Sequence, residues 1–158
     1  MRWGISGAPI PSRLLYADPV QQAATELDFP PLFAYAIACR ESIVGEMNGK
    51  WKAATVVSAD GGHGLFQLTS WVPPGWNDPK TNAHYAIKDW LLVDVQRWLR
   101  EYGLVGDDLI KCAAASFNAG WLPAANAHRA GDVDTATTNK YGAGVLAIFH
   151  NLVSRQSP

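Results

Sequence analysis

From Asp78-Pro79 to Gly103 the chain reads as one long amphipathic helix, and this segment sets the class of fold. Asp78 suits the N-cap, Pro79 the first helical position, and Gly103 the stop. Between them Ile87, Leu91, Val95 and Trp98 recur every three to four residues, which predicts a helix through Tyr102 with one apolar stripe. A stripe of that kind is buried only against other elements, and the flanking segments carry helical patterns of their own.

Asp18-Pro19-Val20-Gln21 predicts a helix start, with Asp18 as N-cap, Pro19 first and Gln21 closing a capping box. That helix ends before Pro30, and Pro30-Pro31 opens a second over Leu32 to Ser42, with Leu32, Tyr35, Ala36 and Cys39 on one face and Glu41 near its end. Asp107-Asp108 caps a helix through Ala113-Ala114-Ala115, whose small side chains allow close approach and predict a central position. Trp121 to Ala130 and Asn139 to Val153 predict two more helices about the turn Gly131-Asp132-Val133-Asp134. From Ile43 to Asn77 the pattern gives way to Gly, Pro, Ser and Asp, interrupted by Gly64-Leu65-Phe66-Gln67-Leu68, which predicts a loop-rich lobe with room for a small β-hairpin. With 158 residues and no repeat or linker, the expectation is a single, mostly α domain over 1–158.

Charge narrows the function classes. A net charge of -1 and a pI near 6.4, without a Lys/Arg run, give no footprint for nucleic acid. No stretch reaches transmembrane length, so no stable membrane insertion is expected. The start, Met1 to Gly7, holds one basic residue and no apolar run before Pro9 and Pro11, which is not the pattern of a secretory signal and predicts synthesis in the cytoplasm. His63, His84, His128 and His150 have no metal-ligand spacing with each other or with the cysteines, so no metal and no cofactor are expected. Cys39 and Cys112 lie in apolar helical contexts, as free buried thiols or as a pair if their helices touch.

Four pieces stand in order: Arg40-Glu41-Ser42, Ser58-Ala59-Asp60-Gly61-Gly62-His63-Gly64-Leu65-Phe66-Gln67-Leu68-Thr69, Ala115-Ser116-Phe117-Asn118-Ala119-Gly120, and Tyr141. Their order and spacing resemble the soluble lytic transglycosylase and goose-type lysozyme family over about Pro31 to Val145. That family has a Glu-Ser pair, a Gly-Leu-Met-Gln-like segment, a Tyr-Asn-Ala-Gly-like segment and a later Tyr. Phe66 and Phe117 stand here for the family's Met and Tyr and preserve their bulk. The resemblance implies a lysozyme-like domain that cuts the MurNAc-β-1,4-GlcNAc bond of peptidoglycan.

Breaking a glycosidic bond needs a proton on a weakly basic oxygen, and a carboxyl in an apolar cleft keeps one near neutral pH. The resemblance gives that part to Glu41. Ser42 organises the site by the same likeness, or bonds its own backbone. Gln67 and Asn118 match residues that meet the sugar, although Asn118 with Gly120 also suits a helix terminus. Tyr141 matches a tyrosine beside the catalytic carboxylate, against ordinary core packing. Among seven Trp, Trp71 and Trp76 flank the Gln67 segment as candidate cleft faces, Trp90 and Trp98 fall on the helical stripe as core, and Trp121 fits either.

A lytic transglycosylase manages with one carboxyl, acid then base, and closes a 1,6-anhydro ring; a hydrolysing lysozyme generally uses a second. Where goose-type enzymes carry an Asp two residues after the Gln, this chain has Thr69. Asp60 remains as a second carboxylate or as a turn residue of Asp60-Gly61-Gly62, with Glu46 and Asp78 as further candidates. The reading favours the transglycosylase, with the hydrolase as alternative and a catalytically silent glycan-binding or structural module as a second. A monomer made in the cytoplasm and acting on periplasmic or extracellular peptidoglycan resembles phage endolysins, which await a holin pore, and virion-associated murein lyases.

Overall fold

A computed structural model describes residues 1–43 and 53–156. Glu46 lies outside them. The chain is a mostly helical single domain: α1 (Ala17–Glu26), α2 (Pro31–Ala38), α3 (Pro79–Tyr85), α4 (Leu92–Tyr102), α5 (Gly106–Ala119), α6 (Trp121–Arg129) and α7 (Tyr141–Ser154). A π-helical turn over Ala86–Leu91 joins α3 to α4, so the predicted helix from Pro79 to Tyr102 is one continuous rod and the described residues form six rods. A second π turn, Cys39–Ile43, continues α2. The described residues contain no strand; the lobe that left room for a hairpin has only isolated bridges, Val57 with His63 and His63 with Leu68.

The rod begins and ends as the sequence requires. Asp78 accepts from the Thr81 backbone N–H at 2.9 Å, and Gly103 takes a left-handed φ of 67° that closes the last turn. Two other expected caps are corrected. Residue Tyr16, at φ 57°, is the N-cap of α1, and Asp18 sits inside the first turn without a side-chain capping bond. The Gln21 amide oxygen is instead held by the Ile10 N–H at 2.8 Å, which ties the N-terminal segment to α1 and leaves no capping box. Val105 likewise precedes α5, and Asp107 and Asp108 occupy its first turn, where negative charge meets the positive end of the helix dipole.

Helix α5 is central. It packs against α4, α6 and α7, and Ala113, Ala114 and Ala115 are fully buried, their small side chains letting three helices approach one axis. Trp98 is fully buried beside it and donates its indole N–H to Ser116 Oγ at 2.7 Å. Trp121 packs at a tilt against Trp98 with ring centroids 4.7 Å apart, and the Arg97 guanidinium lies over its ring, so it belongs to the core margin. Cys39 and Cys112 are both free and buried.

The irregular lobe is fastened to the rod by one residue of α3. Asn82 is fully buried, accepts from the Phe66 N–H at 2.8 Å, and donates to the carbonyls of His63 at 3.1 Å and Trp76 at 3.0 Å. Gly64 is required where the lobe meets that amide: its φ is 71°, and a Cβ there would lie 2.5 Å from Asn82 Nδ2. Replacing Asn82 by Ala strands the Phe66 N–H and the Trp76 carbonyl, while the His63 carbonyl keeps its bond from the Leu68 N–H at 3.1 Å, and chemical denaturation should show a loss of about 3 kcal/mol.

A buried carboxyl on α4 sets the stability profile. Asp94 is 8% exposed and its Oδ2 has no hydrogen-bond partner. Burial pushes its pKa from 3.8 up to about 7, with the Arg97 charge pulling weakly the other way. The folded state thus holds a proton that the unfolded chain releases, so this group costs stability as pH rises from about 4 to 7. Asp94→Asn should melt higher than wild type at pH 8, by roughly 4 kcal/mol at most, with the gain vanishing by pH 4. Equal melting at pH 8 would mean that Asp94 is ionised and satisfied in the fold.

Candidate active site

The π turn after α2 presents Glu41 to a cleft of about 370 Å³ between the irregular lobe and the helices. The lobe contributes Asp60, Gly62, Gln67, Leu68, Thr69 and Ser70, and the helical side contributes Trp90, Phe117, Asn118 and Thr138. One turn of backbone with an extra residue changes the face its side chains take, and such turns recur at functional sites. Both π turns of the described residues feed the cleft, one with Glu41 and the other with Trp90.

Glu41 is held from the opposite side by the first residue of α7. The Tyr141 hydroxyl donates to Glu41 Oε1 at 2.7 Å, and Tyr141 is itself buried. The Arg40 guanidinium lies 5.3 Å over the Tyr141 ring and reaches the Asn139 carbonyl at 3.2 Å, closing that wall. Burial of the carboxyl raises the pKa of Glu41 from 4.5 to about 7; the Tyr141 bond and the Arg40 charge lower it, and the Asp60 charge raises it further. Burial, with Glu41 as neighbour, drives the Tyr141 hydroxyl well above its ordinary value, so Tyr141 stays a donor.

Ser42 faces away from the cleft and is buried. Its hydroxyl donates to the Leu65 carbonyl at 2.6 Å, far better placed than its own Ala38 carbonyl at 3.4 Å. It is a brace between the turn that carries Glu41 and the segment that carries Gln67. Gln67 stands at φ 51° and donates its amide to the Gly64 carbonyl at 2.9 Å, a folded-back posture made possible by Gly62, whose missing Cβ leaves room for the Gln67 side chain and Ser58 Oγ.

Asp60 is a turn residue that also lines the cleft. It is exposed and bonded by the Ser58 hydroxyl and the Gly62 N–H. Those bonds, the Ser58 hydroxyl first, hold its carboxyl below the usual carboxylate range. Asn118 also lines the cleft, while its Oδ1 accepts from the Thr138 N–H at 3.2 Å; the end of α5 falls to Gly120, at φ 87°.

Trp71 and Trp76 are not cleft residues. Trp71 turns out to stack on Tyr85 of α3, centroids 5.2 Å apart, and Trp76 meets the His63 ring edge-on at 4.9 Å. Trp90 takes the aromatic position instead, because the π turn rotates it off the stripe that buries Ile87 and Leu91. Asp78 is an N-cap and does not line the cleft. No group of three or more His, Cys, Asp or Glu suited to a metal occurs among the described residues.

Sequence reasoning missed Asp134. This buried carboxylate accepts from the N–H groups of Gly142 at 2.7 Å and Ala143 at 2.8 Å, and from the Thr137 hydroxyl at 3.0 Å, which in turn accepts from the Tyr141 N–H at 3.0 Å. It caps α7 from outside the helix and so fixes the residue that holds Glu41. Asp134 and Tyr141 are separated by a turn, so no local capping pattern marks the pair.

These contacts make Glu41 a titrating group whose midpoint is adjustable. In a carbon-13 NMR titration it should titrate near 7, higher in Tyr141→Phe, which lacks the bond favouring the carboxylate, and lower in Asp60→Asn, which lacks the like charge. A wild-type midpoint in the ordinary carboxylate range would remove the claim that burial dominates. Comparison with known proteins adds no assignment: neither a protein-family model nor a curated sequence matches the chain.

Proposed function

We propose that the chain cleaves the glycan strands of peptidoglycan as a lysozyme-like lytic transglycosylase, with Glu41 as the proton-transferring group. The observation that carries this reading is a carboxyl with a pKa of about 7, bonded by a buried tyrosine and facing a cleft lined by polar side chains and two aromatic rings. The four-part sequence resemblance supports it independently, because Glu41, Gln67, Asn118 and Tyr141, far apart in sequence, meet in one place.

The protonated Glu41 gives its proton to the bridging oxygen as the glycosidic bond breaks. The resulting carboxylate takes a proton from the C6 hydroxyl of the same muramic acid. That oxygen bonds to the anomeric carbon, and the 1,6-anhydro ring closes with Glu41 protonated again. Trp90 and Phe117 offer faces for sugar rings, and Gln67, Asn118, Thr69 and Ser70 offer donors and acceptors for hydroxyl and N-acetyl groups. The hydrolytic alternative rests on Asp60, the other carboxylate among the described residues of the cleft, as base for a water. Its fixed bonds in the turn favour a charge that stays put over a base that takes a proton.

This reading places the substrate in the cell wall. Delivery of the endolysin or virion-associated kind belongs to the same proposal.

Purified protein incubated with intact sacculi should release muropeptides ending in 1,6-anhydro-muramic acid, with the rate falling as pH rises through about 7. Glu41→Gln should be slower by roughly 100- to 10,000-fold. Reducing-end products would move the assignment to a hydrolase and to Asp60. Undiminished release by Glu41→Gln would exclude Glu41 as the acid.

A further inference from the structure

Beside the cleft lies a second concavity of about 410 Å³ that the proposed reaction does not use, bordered by Pro73, Tyr85, Lys88 and Asp89, with Lys80 and His84 at its far side. Only a narrow ridge parts the two. Ser70 lines the cleft and Trp71 follows it; Trp90 lines the cleft and Asp89 precedes it in the groove. The two concavities are therefore lined by neighbouring residues of the same segments, and a polymer seated on Glu41 that leaves the cleft past Trp90 meets this groove.

Tyr85 lines the groove, Trp71 borders it through its contact with the Tyr85 ring, and Lys88 and Asp89 supply charge. Trp71 is 56% exposed, unusual for so large an apolar ring, and its ring meets that of Tyr85 at a tilt with centroids 5.2 Å apart. Lys80 is taken by Glu26 at 2.6 Å, with His84 3.9 Å from the same carboxylate, so that side is already neutralised. Lys88 and Asp89 are exposed and have no ion-pair partner among the described residues. The patch is a few side chains wide, too small for a stable protein interface of about 1,600 Å², but it suits one sugar ring with a charged substituent.

We propose that Trp71 and Lys88 form an outlying subsite for a peptide-bearing amino sugar of the same glycan strand. The sugar ring stacks on Trp71, and the carboxylate and amine of the attached peptide meet Lys88 and Asp89. The subsite rests on the peptidoglycan reading and lengthens the grip on the strand beyond the scissile bond.

The test uses the non-cleaving Glu41→Gln protein as parent and measures co-sedimentation with intact sacculi and with peptide-free glycan strands prepared by amidase. Adding Trp71→Ala should weaken binding to both by roughly tenfold, and Trp71→Phe should recover most of it. Adding Lys88→Ala should weaken binding to sacculi several-fold and leave peptide-free strands unaffected. Both side chains are exposed, and thermal melting checks that the variants remain folded. Binding by Trp71→Ala equal to that of the parent, or no binding by the parent, would overturn the subsite; a Lys88→Ala loss that persists without peptides would overturn its charge partner. Wild-type protein that fails to cut sacculi while Trp71-dependent binding remains would defeat the lytic reading and leave the subsite standing. Normal cutting with Trp71-independent binding would do the reverse.

Discussion

The buried amide of Asn82 is the fastening on which the cleft depends. A lobe without regular strands satisfies only part of its own backbone, through turns and bridges such as His63 with Leu68, and unpaired buried N–H and C=O groups are costly. Asn82 meets that need from a helix, serving one N–H and two carbonyls with a single side chain. Since those groups belong to His63, Phe66 and Trp76, the amide sets the height of the whole Gln67 segment against α3. Ser42 supplies the second fastening through the Leu65 carbonyl, so residues on either side of the cleft are fixed to one another rather than to solvent. An opening between a rigid helical wall and a pinned loop is how a small domain keeps a cavity that its own core would otherwise fill.

Two carboxyls, Asp94 buried and Glu41 half-buried, are raised to about the same pKa and yet are placed differently. Asp94 sits in α4 with an unpartnered oxygen and does not line the cleft, so its burial appears only as a cost in stability. Glu41 has a hydrogen-bond donor on one side and a cavity on the other. A shifted pKa alone does not separate a working acid from a structural burden, and the difference is geometric access.

How far the sequence could be read depends on whether each signal was local. Asp78-Pro79 and Gly103 bracket the rod correctly because cap, first turn and stop all act within a few residues. Asp18 and Asp107-Asp108 have cap chemistry but were each placed too early in the helix: a left-handed Tyr16 and an extended Val105 already turn the chain. Glu41, Gln67, Asn118 and Tyr141 were legible only as an ordered set, since each taken singly has an ordinary structural explanation. Trp90 was assigned to the core because plain 3.6-residue spacing cannot foresee a π turn, and Asn82 and Asp134 were invisible because their partners lie across a loop. Trp71 and Trp76 were placed by proximity in sequence to Gln67, and their rings found Tyr85 and His63 instead.

On the proposed reading, the opposing influences on Glu41 answer a chemical requirement. A single carboxyl that acts first as acid and then as base has to hold a proton at the start and accept one back within the same turnover. A strongly raised pKa serves the first half and a low one the second, so a value near the working pH is the compromise that keeps neither step prohibitive. Burial supplies the upward push here, Asp60 adds to it from the rim, and the Tyr141 hydroxyl and Arg40 charge restrain it. The restraint is anchored away from the cleft, through Asp134 and the first turn of α7, so the proton affinity of Glu41 is tied to how firmly that helix end is held. Loosening the cap would then release Tyr141 first, leaving burial opposed by the Arg40 charge alone and Glu41 a better acid reservoir but a poorer base.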